Sequence, residues 1–472
     1  MQIHFGTSGW RGVIADEFTF AQVRIVIQAI ADSLREDGLG RRGVVVGYDT
    51  RFLAEEFARE AVGVLAGNGI PVFWCIRDTP TPVLAYEITR RGAAGGINIT
   101  ASHNPPEYGG IKYSMANGGP AVPELTSRIE RRANALLREP VVRTVSLDRA
   151  EASGCLRRID PRQAYLARLG ELVDLAAIQR ARLTLVIDPL YGTARDYLDA
   201  LCRRAGCTVS TLHDWRDPLF GGGRPEPDGE TLHELTRAVR EEKAHLGLAT
   251  DGDADRFGVV DADGQVIPPN QILALLLSHL ITARGLTGGV ARSVATSHFV
   301  DAVAARHGVE VFETPVGFKY IGELLTQGKI MLGGEESAGL TIRGHVPEKD
   351  GILACLLVAE TVAMGGGQSL QAMVDRLKGE VGHFLTRRID LKLTGEERRR
   401  MLEIFEMPPR QIAGRAVRAV NRTDGMKLLL DDGSWLLLRP SGTEPLVRLY
   451  AEAPDEEGLK ALEKAGREFL YG

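Results

Sequence analysis

The chain of 472 residues is poor in cysteine, with only five, and none stands in a Cys-x-x-Cys pair. That excludes a disulfide or zinc framework, and Cys202 and Cys207, the nearest two, read as small buried thiols. Positive charge is not in excess: the formal net charge is −5, which argues against a nucleic-acid-binding surface. Long hydrophobic runs are missing as well. The most apolar stretches, 272–277 and 352–364, are short or broken by Glu360, and the first residues lack a basic stretch followed by an apolar one. The expectation is therefore a cytoplasmic chain with no membrane partner. No short-period repeat is visible, and no Gly-x-Ser-x-Gly elbow of a serine hydrolase surrounds Ser102.

What is present is an ordinary globular composition, 44% hydrophobic and 25% charged, on a chain long enough for three or four domains. Helical and strand patterns alternate. Strands are expected at 44–47, 72–76 and 96–99 with helices at 53–68 and 82–91. A second unit reads strand 183–187, helices 194–204 and 232–242, and strand 247–249. A third reads helix 271–283, strand 290–294, helix 299–307 and strand 309–312. Such alternation predicts α/β units with largely parallel sheets. After Arg388 the pattern changes to helix 396–405, strands 427–430, 435–438 and 447–452, and helix 456–470, a smaller α+β unit with antiparallel strands. Linkers are expected at 138–153, 261–269 and 379–382.

Four loops carry chemistry. In Thr100-Ala101-Ser102-His103-Asn104-Pro105, the serine offers a hydroxyl that can carry a phosphoryl group, and the prolines at 105 and 106 stiffen the loop. Turn chemistry is the competing reading for Ser102. In Asp251-Gly252-Asp253-Ala254-Asp255-Arg256, alternate residues of an extended segment point the same way, so three carboxylates can converge on one hard cation. A solvated polar turn is the alternative, but three like charges this close repel unless a cation sits among them. An EF-hand calcium loop fails, because its sixth position is Arg256 and its twelfth Ala262. Gly333-Gly334-Glu335-Glu336-Ser337-Ala338-Gly339 offers acceptors and a hydroxyl suited to sugar hydroxyls, or else a helix-capping turn. Arg439-Pro440-Ser441-Gly442-Thr443-Glu444-Pro445 joins two apolar strands; a long hairpin needs Gly and Pro, but Arg, Ser and Thr together suit a phosphate cradle.

With these loops in this order, and with Gly6-Thr7-Ser8-Gly9-Trp10-Arg11-Gly12 near the start, the chain resembles the alpha-D-phosphohexomutases, the family of phosphoglucomutase and phosphomannomutase. The resemblance covers essentially the whole chain. It implies three related mixed-sheet α/β domains (1–145, 152–260 and 261–378) and a smaller C-terminal α+β domain (383–472) around a central cleft. Ser102 matches the family's phosphoserine, and Asp251, Asp253 and Asp255 match its magnesium ligands, with the phosphoserine completing the set. Arg11, His103 and Lys112 match active-site positions where general acids and bases lie; Lys112 suits a base only if neighbours such as Arg11, or burial, lower its pKa. Arg256, Glu335 and Ser337 match substrate contacts, and Arg439, Ser441, Gly442 and Thr443 the distal phosphate loop. Lys319 and His345 resemble the phosphoglucomutase-like branch. The implied reaction interconverts hexose 1-phosphate and hexose 6-phosphate, with glucose the favoured sugar and glucose 1,6-bisphosphate as intermediate and activator. Mannose or dual specificity is the alternative, then an amino sugar, against which Glu336 argues. A phosphatase, or a catalytically silent sugar-phosphate sensor, is the reading from a different class.

Overall fold

In the computed structural model, which describes residues 2–6, 9–440 and 446–471, strand Val44–Tyr48 is buried at all five positions. A β-branched run without polar alternation is what a central strand covered on both faces requires. It sits inside a six-stranded sheet ordered Trp10–Val13, Tyr108–Met115, Gly95–Ile99, Val44–Tyr48, Val72–Cys75, Leu156–Ile159. The first two junctions are antiparallel and the remaining three parallel. Helix Phe20–Glu36 packs on this sheet; Thr19 starts it by accepting from the Gln22 amide, and Val23, Val26, Ile27 and Ile30 join the core. Helix Thr81–Arg91 has proline in its first turn and ends on Gly92 in the left-handed conformation.

The chain packs as two compact units, Met1–Pro269 with Gly317–Gln371, and Asn270–Val316 with Ala372–Gly472. Besides the first sheet, the first unit holds a four-stranded sheet ordered Phe257–Asp261, Leu246–Thr250, Thr184–Asp188, Thr208–Thr211, antiparallel only at its first junction. It also holds the antiparallel pair Ile330–Glu335 and Gly339–Ile342, followed by helix Gly351–Met364. The second unit contains the parallel pair Gly289–Ser293 and Val311–Thr314. It also contains a six-stranded antiparallel sheet ordered Leu385–Lys392, Leu446–Ala453, Trp435–Pro440, Met426–Leu430, Arg415–Asn421, Gln411–Ile412. Helix Glu456–Tyr471 covers that sheet through Leu459, Leu462 and Leu470. The architecture is thus three mixed-sheet α/β domains and a C-terminal domain built on an antiparallel sheet.

The sheets of the α/β domains are mixed, as the resemblance implies: most junctions described in the first two are parallel, and an antiparallel strand returns after each of the loops that follow residues 99, 250 and 335. Several expectations are corrected. The stretch expected as linker at 138–153 contains helix Leu147–Ala152, and the next strand, Leu156–Ile159, closes the edge of the first sheet. The linker expected at 261–269 begins as a hairpin turn, with the Gly264 amide donating to Asp261 O, and the one at 379–382 overlaps the end of helix Leu370–Val381. The helix expected from 194 starts at Leu198, since Asp196 has φ of +64°. Among the described residues no helix is long and apolar enough to cross a membrane. Glu360, which interrupts the most apolar helix, is buried there and accepts from the Asp174 amide at 2.6 Å.

Candidate active site

Strand Gly95–Ile99 is fully buried and delivers Thr100, Ala101 and Ser102 at its carboxyl end. Thr100 Oγ1 accepts from the Ser102 amide at 2.9 Å, and Ser102 adopts φ of +54°, a conformation that costs a residue with a Cβ about 1–2 kcal/mol. The turn is closed by the Asn104 amide donating to Ala101 O. Opposite it, Leu246–Thr250 and Phe257–Asp261 form a hairpin whose loop carries the three aspartates. The carboxylates converge, although not through extended alternation: Ala254 turns the chain with φ of +58°, and its amide donates to Asp251 O. The loop folds back on itself, and that brings one oxygen from each of Asp251, Asp253 and Asp255 within 4.8 Å of the others.

All three aspartates are buried. Ser102 Oγ donates to Asp251 Oδ2 at 2.8 Å. Lys112, on strand Tyr108–Met115, donates to Asp253 Oδ2 at 2.5 Å and Asp255 Oδ2 at 2.7 Å. Thr81 Oγ1 also donates to Asp253 Oδ2. Lys349 Nζ lies 3.0 Å from Asp255 Oδ2. Asp253 Oδ1 and Asp255 Oδ1, though buried, have no hydrogen-bond partner among the described residues. Two bare carboxylate oxygens beside a third carboxylate fit a hard divalent cation with oxygen ligands.

Electrostatics follow from this crowding. Burial, together with Asp255 and Asp253, pushes Asp251 well above the usual carboxylate range. Burial also works against Asp255, but Lys112, Lys349 and Arg256 outweigh it and hold Asp255 low. Lys112 departs from the condition set by sequence: burial alone would lower it and Arg11 adds to that, yet Asp253 and Asp255 raise it above its ordinary value. Without a cation on the aspartates Lys112 is thus an ammonium, a charge partner and proton donor. His103 Nδ1 is 3.3 Å from Ser102 Oγ, and burial with the fields of Arg256 and Arg11 holds this imidazole well below its usual pKa, hence neutral. Arg11 donates from Nη1 to the Asn104 side chain at 2.6 Å, joining the N-terminal strand to the serine loop. Arg256 is paired with Glu226 at 2.8 Å.

The structure therefore brings together Ser102, His103, Arg11, Lys112, Asp251, Asp253, Asp255 and Arg256. Glu335 ends its strand buried and accepts from the Gly317 amide at 2.8 Å; burial and neighbouring Glu336 raise its pKa to about 7. Ser337 is half-buried two residues on, and Lys319 lies 5.2 Å over the Tyr320 ring. The His345 side chain is fully buried, with Nε2 2.7 Å from Asp350 Oδ2 and Tyr165 bonded to the same oxygen, so a substrate contact by the ring requires that network to open. Arg439 belongs to the second unit and is tethered from Nε to Asp424 at 2.7 Å. Ser441, Gly442 and Thr443 lie outside the described residues. Sequence reasoning missed Thr81, Lys349 and the Asp49–Arg51 pair. The available signal was a buried strand, 44–48, running directly into charged residues, which marks another strand end at the same edge of the sheet.

Comparison with known proteins gives the same order of parts. Models of the phosphoglucomutase/phosphomannomutase family match as alpha/beta/alpha domain I over residues 2–139, domain II over 163–264, domain III over 268–379 and the C-terminal domain over 399–468. A phosphoglucomutase/phosphomannomutase of Thermococcus kodakarensis is 32% identical over 471 residues, 98% of each chain. A Methanothermobacter thermautotrophicus protein named as a phosphoglucosamine mutase is 32% identical over 99% of this chain and 97% of its own. A crystal structure from Thermus thermophilus, named as a phosphomannomutase, is 35% identical with a TM-score of 0.87, covering 100% of both chains. With four family segments in order, and relatives aligned from end to end, the chain belongs to the phosphoglucomutase/phosphomannomutase family and is a phosphohexomutase, an intramolecular phosphotransferase.

Proposed function

We propose that this phosphohexomutase interconverts glucose 1-phosphate and glucose 6-phosphate through a phosphoserine at Ser102 and a glucose 1,6-bisphosphate intermediate. The observation that carries the reading is the Ser102 hydroxyl 2.8 Å from Asp251, beside bare buried oxygens of Asp253 and Asp255. Asp251, Asp253, Asp255 and the Ser102 side chain would hold magnesium, which when bound supplies charge withdrawal from the phosphoryl oxygens. In the reaction the bond from phosphorus to Ser102 Oγ breaks as a bond forms to the free sugar hydroxyl, whose proton must be accepted. The bisphosphate then returns its other phosphoryl group to Ser102. Lys112, an ammonium beside the serine loop, is assigned to stabilise transferring charge and return protons; His103, neutral and near Ser102 Oγ, is assigned to accept them. Arg11 and Arg256 supply positive charge toward the phosphate. Glu335 and Ser337 are assigned the sugar hydroxyls, Lys319 and His345 their support, and Arg439 with Ser441, Gly442 and Thr443 the distal phosphate.

Glucose is favoured by the Ser441-Gly442-Thr443 loop, by Lys319 and the His345 segment, and by Glu336, which argues against an amino sugar. An amino sugar is the second reading, because six relatives of nearly full coverage, 30–33% identical, are named as phosphoglucosamine mutases. The test is conversion of glucose, mannose and glucosamine 1-phosphates with magnesium and a trace of the matching bisphosphate. The expected result is the highest kcat/KM for glucose 1-phosphate. A higher kcat/KM for glucosamine 1-phosphate overturns the sugar assignment, and binding without conversion of any of them favours the sensor.

A further inference from the structure

Arg51 is 1% exposed, and Phe220 covers one face of its guanidinium, with Cζ 4.9 Å from the ring centroid. An arginine has five N–H donors in a rigid fork. Here every one is taken. Nε donates to Asp49 Oδ2 at 3.1 Å, Nη1 to Pro105 O at 2.6 Å and Tyr108 O at 3.1 Å, and Nη2 to Ser102 O at 2.6 Å and Asn104 O at 2.5 Å. Four of these five partners are backbone carbonyls of the segment that presents the serine. With the donors spent and the side chain buried, none is left for a substrate phosphate.

We propose that Arg51 is a positioning residue for phosphoryl transfer: its guanidinium, aligned by Asp49, fixes the backbone of residues 102–108 so that the Ser102 hydroxyl is held toward the aspartate loop. The assignment rests on the mutase reading above. The Ser102 peptide is gripped on both sides, its amide by Thr100 Oγ1 and its carbonyl by Arg51, which accounts for the left-handed backbone persisting at a residue with a side chain. Asp49 is 0% exposed and also accepts the Arg51 amide at 3.0 Å, so the fork's orientation is set by its own chain. Asn104, one of the carbonyls held, takes Arg11 on its side chain, and the same fork therefore also orders the arginine beside the serine.

Lysine at this position keeps the charge but offers donors from a single atom, too few and too concentrated to span four carbonyls. The test is steady-state kinetics of Arg51→Lys with glucose 1-phosphate, magnesium and a trace of glucose 1,6-bisphosphate, alongside the phosphorus NMR signal of the phosphoenzyme. With a native melting profile, the expected result is a kcat lower by about 100-fold, the cost of a misplacement near 1 Å, with KM kept and the phosphoserine resonance shifted or broadened. A folded Arg51→Lys with kcat within twofold of wild type and an unchanged resonance overturns the proposal. Where Arg51→Lys does not fold, Asp49→Asn reads the same device: a roughly tenfold loss of kcat at unchanged KM supports it, and wild-type kcat overturns it. Failure of the mutase reading is a separate outcome, since it shows as no conversion by the wild-type chain.

Discussion

The Ser102 hydroxyl and the Asp251 carboxylate, 149 residues apart in the chain, meet at 2.8 Å through a direct hydrogen bond. The serine thereby presents its oxygen to a cluster of three buried carboxylates, the arrangement on which the proposed phosphoserine and cation rest. Because the cluster is destabilised by its own charge, it links metal binding to stability.

That linkage gives the first prediction. A cation binding the folded chain and not the unfolded one stabilises it by about 2.7 kcal/mol at a hundred times its dissociation constant. Magnesium should raise the melting temperature of the wild type. Asp251→Asn replaces a carboxyl whose charged form burial, Asp255 and Asp253 disfavour, so the metal-free protein should melt at or above the wild type while losing the magnesium response. A full magnesium response in Asp251→Asn would place the ion elsewhere.

Gly252 lies where the aspartate loop passes close to the serine loop. A Cβ built there would lie 2.8 Å from Ser102 O and 3.0 Å from Pro225 Cγ. Gly252→Ala should therefore push the serine loop from the aspartates and lower kcat by about 100-fold, as expected for a displacement near 1 Å. Near-normal kcat in a folded variant would show that the loops can separate without cost to the chemistry.

Lys112 neutralises two of the aspartates from a buried position. Removing one partner of a buried ion pair typically costs about 3–5 kcal/mol, so Lys112→Met should be markedly less stable to urea. Its transfer step should slow by about 10²–10⁴-fold, read by rapid quench with magnesium present. A wild-type rate of the chemical step would remove Lys112 from the proton-handling set.

In the second unit, Lys427 is 0% exposed, donates to Val294 O at 2.8 Å and stands 4.0 Å over the Trp435 ring. Burial, then the field of Arg292, lowers its pKa from 10.5 to about 8. Between those two values the unfolded chain holds the proton that the folded chain has released, so this group's contribution to stability rises with pH across that window. The unfolding free energy of the wild type minus that of Lys427→Met should therefore increase from pH 7 to pH 10 in urea titrations. A difference independent of pH would contradict the shift.

The parts legible in sequence were those whose chemistry sits in one loop: Ser102 and the three aspartates, which the fold brings together, each stand among the glycines and prolines that such loops need. The strand cores were legible too, because runs such as Val44-Val45-Val46 allow little else. What was not legible depends on convergence. Thr81 reads as a helix start beside a proline, and only the fold carries it to Asp253. Arg51 stands outside the four chemical loops, yet it is buried and binds carbonyls over fifty residues away. The reading of the aspartates as alternate residues of an extended segment reached the right cluster by the wrong geometry, since a hairpin turn at Ala254 makes them meet. Leu156–Ile159 was hidden because Arg157 and Arg158, both exposed on an edge strand, break the apolar run that marks a strand.

The most direct test of the account is a chase of phosphoryl label through Ser102. The chain is incubated with magnesium and glucose 1,6-bisphosphate carrying labelled phosphorus, the labelled peptide is identified, and unlabelled glucose 1-phosphate is added. The account predicts label on Ser102, its transfer to sugar at least as fast as steady turnover, and neither label nor turnover in Ser102→Ala. Turnover with no label on Ser102, or label that stays on the protein while sugar phosphate is converted, would contradict it.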